Sequence, residues 1–131
     1  MKITKERFAD AAANVTVKHV TDFSKSESAN GKLLLFTAMM NRIHMSRIGK
    51  HLFSGETSEV SEVDVTKDEF KAIAAKAIKE RMDENEADTE RSPIAKLGEN
   101  LSAITFVSDI VDELFGKEAD TTAETEGDAD A

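Results

Sequence analysis

The chain contains no cysteine, no tryptophan and no tyrosine, and its single proline is Pro93. Without cysteine there is no disulfide scaffold, no thiolate metal site and no thiol nucleophile. Without Trp or Tyr the aromatic platforms that commonly stack on nucleic-acid bases are scarce. Long apolar stretches are missing as well. The longest run of large apolar residues is Leu33-Leu34-Leu35-Phe36, far short of the roughly 20 residues that cross a bilayer. Met1-Lys2-Ile3-Thr4 leads straight into an amphipathic pattern, without the apolar segment of a secretory signal. These absences predict a cytoplasmic protein that does not engage membranes. HExxH, GxSxG, glycine-rich phosphate loops and calcium loops do not occur either. No enzyme activity is therefore expected, and no cofactor, metal or small-molecule ligand.

What is present suffices for a core. Leu, Ile, Val and Phe number 7, 8, 8 and 7 among 131 residues, which argues against wholesale disorder. Charge is lopsided. Residues 1–56 carry 9 Lys+Arg against 5 Asp+Glu, net +4, whereas residues 57–131 carry 8 against 21, net −13. The last stretch, 117–131 (KEADTTAETEGDADA), has no large apolar residue and reads as a disordered acidic tail.

A shift of 62 residues lays Ile3–Glu56 on Val65–Glu118 without a gap, with 11 identities in 54 positions. Thr4/Thr66, Phe8/Phe70, Ala12/Ala74, Leu52/Leu114 and Phe53/Phe115 are among them. The matches fall on a helix start and a helix end in both copies, which marks an internal repeat. Each copy reads as two helices. Thr4 and Thr66 are N-cap candidates, and Thr66 with Glu69 forms a capping box. Ser92 ahead of Pro93 is a second helix start. Val15-Thr16-Val17 alone could be a strand, but its counterpart AKAIKERMDEN could not, so helix is expected in both.

The predicted architecture is all-α. Hairpin 1–56 holds helices at about 4–23 and 31–54, and hairpin 65–116 holds helices at about 66–86 and 93–115, with a linker at 57–64. Roughly 54 residues is marginal for an independent fold. The hairpins should therefore pack on each other as a pseudo-twofold four-helix arrangement. Lys2-Ile3 and Asp64-Val65 are extended in character and could pair as a two-residue ladder.

The two second helices differ. Ile94, Leu97, Leu101, Ile104, Val107, Val111, Leu114 and Phe115 form one clean stripe at 100° per residue, the pattern of a helix with one buried face. The matching positions in the first copy include Lys32, Leu35, Met39, Arg42 and Gly49, so that stripe is degraded. In exchange Leu33, Phe36, Met40 and Ile43 make a second stripe, spaced 3-4-3. This helix either sits centrally in the bundle or offers the stripe as a homodimer seam or a partner groove.

Its basic residues, Arg42, His44, Arg47, Lys50 and His51, would contact phosphates in a nucleic-acid reading. Net charge, missing stacking residues and the lack of helix-turn-helix spacing make nucleic acid an unfavoured partner. The alternative is a solvated face or one neutralised by the acidic half, for example by the linker TSEVSEVD. His44 and His51 lie roughly 10 Å apart along a helix, too far to share an ion. His19 occupies an apolar-stripe position and reads as a half-buried core histidine. A protein partner or a second copy is thus expected, through Leu33, Phe36, Met40, Ile43, Arg42, Arg47 and Lys50.

The opening MKITKERF, the repeated VTKDEF and the endings KHLF and DELFGKE resemble small helical proteins encoded by bacteriophages and prophages, many of which open M-K-I-T-x-E-x-F. The resemblance implies a small interaction protein. It could inhibit a host or defence protein, or serve as a structural accessory such as a tail-assembly chaperone. It transfers no functional residues.

Overall fold

Four side-chain caps start the four helices. In a computed structural model, which describes residues 1–26, 30–55 and 60–116, the Thr4 hydroxyl accepts from the Arg7 N–H at the head of α1 (Lys5–Ser24). Asn30 accepts from the Leu33 N–H for α2 (Gly31–Leu52). Thr66 and Glu69 complete the capping box of α3 (Lys67–Ala87), each side chain accepting from the other's backbone N–H at 3.1 and 2.8 Å. Ser92 caps α4 (Pro93–Phe115), with Pro93 where a missing N–H is harmless. The last helix stops at Gly116, whose φ of +89° suits a residue without Cβ. The expected tail and residues 56–59 lie outside the described residues.

Starts of α1 and α3, and of α2 and α4, fall 62 residues apart. The same positions are buried in both copies: Phe8/Phe70, Ala12/Ala74, Val15/Ala77, Asn41/Ala103, His44/Phe106, Ile48/Ile110 and Leu52/Leu114. Ring contacts repeat too. Phe8 meets Phe53 edge-on at 5.9 Å, Phe70 meets Phe115 edge-on at 5.7 Å, and Phe8 meets Phe70 at 6.3 Å where the copies join. Gly49, matching Val111, lies where a Cβ would sit 3.4 Å from the Phe8 ring.

Successive helices run antiparallel: Arg47 meets Glu84 and, one turn on, His51 meets the earlier Glu80, and Asn85 at the end of α3 lies by Lys96 near the start of α4. The counterparts α2 and α4 each pack against the other three helices and form the short diagonal of the bundle. The small ladder is one residue longer than expected. β1 (Lys2–Thr4) pairs antiparallel with β2 (Glu62–Asp64), Ile3 opposite Val63, so the pairing reaches into the predicted linker. This register puts Ile3, fully buried, and half-buried Val63 on one face toward the core. The aromatic cluster and the ladder occupy one end of the bundle. The other end holds polar groups.

Candidate functional site

α4 departs from expectation in which face it buries. It turns Glu99, Ala103, Phe106 and Ile110 inward. The opposite side, Ile94, Leu97, Leu101 and Ile104, is 83, 58, 56 and 57% exposed. The clean stripe of the sequence is thus split. Val111 and Leu114 are buried, Val107 and Phe115 pack partly buried on the core, and the first four members face outward. Size and charge decide between the faces. Phe106 is fully buried against the His44 ring at 5.8 Å, Ala103 lets the diagonal helices approach, and Glu99 meets two guanidinium groups.

Those groups belong to Arg81 on α3 and Arg91 in the α3–α4 turn. Arg81 Nε donates to Glu99 Oε2 at 2.5 Å, and Arg91 Nη1 donates to Glu99 Oε1 at 2.8 Å and to Asn85 Oδ1 at 2.6 Å. Burial pushes the Glu99 carboxyl up, but the hydrogen bonds from Arg81 and Arg91 outweigh it and hold the pKa at about 2. Glu84 links Arg81 to Arg47 on α2, which binds it through both guanidinium nitrogens at 2.8 and 2.6 Å. That chelation lowers Glu84 and raises Arg47. Beside this chain of charges, burial drives His44 down to about 4; the Glu99 charge opposes the shift and Arg81 adds to it. The neutral ring keeps Nε2 3.1 Å from Ser102 Oγ, while Nδ1 is buried without a partner.

An open cleft of about 510 Å³ lies among α1, α2 and α4, lined by His19, Phe23, Thr37, Asn41, Leu101 and Ser102 among others. Asn41 Nδ2 donates to His19 Nδ1 at 3.1 Å, which leaves the ring proton on Nε2, 2.6 Å from Asp109. Asn41 also donates to Thr16. Both nitrogens of His19 are therefore engaged inside the protein, in the half-buried position expected from the sequence. Among the described residues no group of three or more His, Cys, Asp or Glu is placed to hold a metal ion. No helix there is long and apolar enough to cross a membrane.

The partner face predicted on α2 is not one surface. Met40 is buried, Ile43 is half-buried, and Leu33 and Phe36 are 39 and 37% exposed. Met40 belongs to the part of α2 that buries Asn41, His44 and Ile48, whereas Leu33 and Phe36 sit in its first two turns. The basic face is dismantled as well. His44 points inward, Arg47 is held by Glu84, and His51 Nε2 lies 2.9 Å from Glu80. Among the described residues α3, rather than the linker, supplies the neutralising carboxylates. Arg42 and Lys50 remain exposed.

Sequence reasoning missed Arg81, Asn85, Arg91 and Glu99. The available signal was register: Glu99 lies four residues before Ala103 and seven before Phe106, on their face. Comparison of the chain with family models, with curated proteins and with solved structures returns no match.

Proposed function

We propose that this chain is a non-enzymatic protein-binding module that works through the outward face of α4. The observation that carries it is the exposure of Ile94, Leu97, Leu101 and Ile104, each by more than half, along about three helical turns. Contiguous apolar surface of this kind is uncommon on monomers and is removed from water by association. The flanking groove between α3 and α4, lined by Ala75, Ile78 and Met82 of α3 and Ile104 and Val107 of α4, extends it. With the phage-like opening of the chain, the reading favours a modulator of a host or defence protein in the host cytoplasm, ahead of a tail-assembly accessory.

Affinity capture from a lysate that also contains an untagged copy of the chain tests this, with tagged wild type beside a tagged Leu97→Lys/Leu101→Lys variant. Protein retained by the wild type at about 1 M salt, where the Debye length is roughly 3 Å, and lost by the variant supports the reading. Capture that is equal for both, or that disappears with salt as nucleic-acid binding does, overturns it.

A further inference from the structure

We propose that the occupant of α4's outward face is a second copy of this chain, seated about a twofold axis with the two α4 helices antiparallel. The inference rests on the protein-binding reading and names its partner. The ridge is a palindrome. Ile94, Leu97, Leu101 and Ile104 are spaced 3-4-3 and read Ile-Leu-Leu-Ile from either end. An isologous contact requires that if residue i meets j, then j meets i. Reversing α4 about position 99 sets Ile94 on the second copy's Ile104 and Leu97 on its Leu101, all four pairs at once. At 100° per residue the four fall within roughly 80° of arc, a seam narrow enough for two helices to share.

Charge points to the same occupant. A chain of net charge −9 repels its own copies over most of its surface. Between Pro93 and Ser108, however, the charged residues are Lys96 and Glu99, and Glu99 is buried. The ridge is thus a place where two copies can meet without facing like charge. The corresponding face of α2 has the same shape, with Leu35 and Met39 62 and 52% exposed. There Lys32 and Arg42 replace Ile94 and Ile104. The same antiparallel pairing on α2 would bring Lys32 against the second copy's Arg42, cation on cation. A mixed α2–α4 contact would be heterologous, giving rings or filaments rather than a twofold pair joined through one shared seam, and it would set Lys32 and Arg42 of α2 against the apolar Ile94 and Ile104. Self-association is therefore selected for α4 and blocked on α2.

Gly98 flanks the centre of the palindrome. Within the protomer nothing requires a glycine there, since a Cβ would meet no atom within 4 Å, and glycine is disfavoured inside helices. It lies beside the seam, about 40° beyond Ile94 around the helix, where it leaves that rim without a side chain to hold a second α4 away. Four side chains along about three turns of one helix make a smaller contact than the roughly 20–30 residues per side of a standard interface of about 800 Å² per partner. The dimer is accordingly weak, with a Kd between about 1 μM and 1 mM.

Sedimentation equilibrium of the full chain up to about 1 mM tests this range directly. The expected result is a monomer–dimer equilibrium whose Kd rises at least tenfold in Leu97→Lys, with unchanged far-UV circular dichroism. Because the chain has no cysteine, register can be read by oxidation. Leu97→Cys mixed with Leu101→Cys should crosslink faster than either alone, and Ile94→Cys with Ile104→Cys likewise. A wild type that stays monomeric overturns the second-copy proposal, while the protein-binding reading is judged independently by ridge-dependent capture. A dimer that survives Leu97→Lys, or crosslinks with no preference for these pairs, overturns it too.

Discussion

Glu99 and His44 show how two single side chains set the acid response of the whole fold. The native His44 pKa of about 4 lies below the ordinary 6.5, so the unfolded chain binds the extra proton first. Its stabilising contribution is complete above pH 6.5 and is lost as pH falls toward 4, by about 3 kcal/mol. Glu99, at about 2 against 4.5, has the same sign at lower pH: stability present above 4.5 is lost toward 2. Chemical denaturation across pH should show both windows. His44→Phe, which installs the residue of its counterpart Phe106, should flatten the upper window and leave the lower one. Glu99→Gln removes the buried carboxylate that Arg81 and Arg91 share and leaves Arg81 only its longer pair with Glu84 at 3.5 Å. It should cost about 3 kcal/mol at pH 7 in urea unfolding, a loss that shrinks as pH nears 2. The ion cluster was not legible in the sequence. Glu99 is one of 26 acidic residues, and Arg81 stands 18 positions away, adjacent only after α3 and α4 have folded together.

At the scale of elements, helix ends were legible because caps are local chemistry. Thr4, Thr66 and Ser92 each act on an N–H three residues ahead, so neighbours along the chain suffice to place them. Thr66→Ala removes the reciprocal pair with Glu69 and should lower stability by about 1–2 kcal/mol in thermal melts. Which face of α4 is buried was not legible. The helix carries two apolar sectors, and regular spacing favours Ile94-Leu97-Leu101-Ile104. Only the packed partner, His44 with Phe106 across the short diagonal, selects the other. α2 fails in the complementary way. Its second stripe looked continuous, yet the bundle buries Met40 and leaves Leu33 and Phe36 more than a third exposed.

On the scale of the molecule, the two hairpins share one core. Phe8 touches Phe70, His19 pairs with Asp109 and His44 with Ser102, each crossing from one copy to the other, and Ile3 pairs with Val63 of the linker that joins them. A fragment of residues 1–56 therefore keeps the α1–α2 contact but loses every contact with α3 and α4. It should show little helix by far-UV circular dichroism in the micromolar range, where the full chain is folded. The placement of these contacts has a consequence in time. Four phenylalanines and the β1–β2 ladder clamp one end, whereas hydrogen bonds among Asn41, His19, Asp109, Glu99 and Arg91 hold the other. Aromatic packing is lost only when the whole fold opens, but polar links beside a cleft exchange with water one by one. The bundle should loosen as a zipper does, from the polar end. Backbone hydrogens of Asn41–His44 and Gly98–Ser102 would then exchange sooner than those flanking Phe70 and Leu114. The ridge of α4 lies on the part that opens first, so a partner seated there would slow exchange at the polar end and leave the aromatic end unchanged.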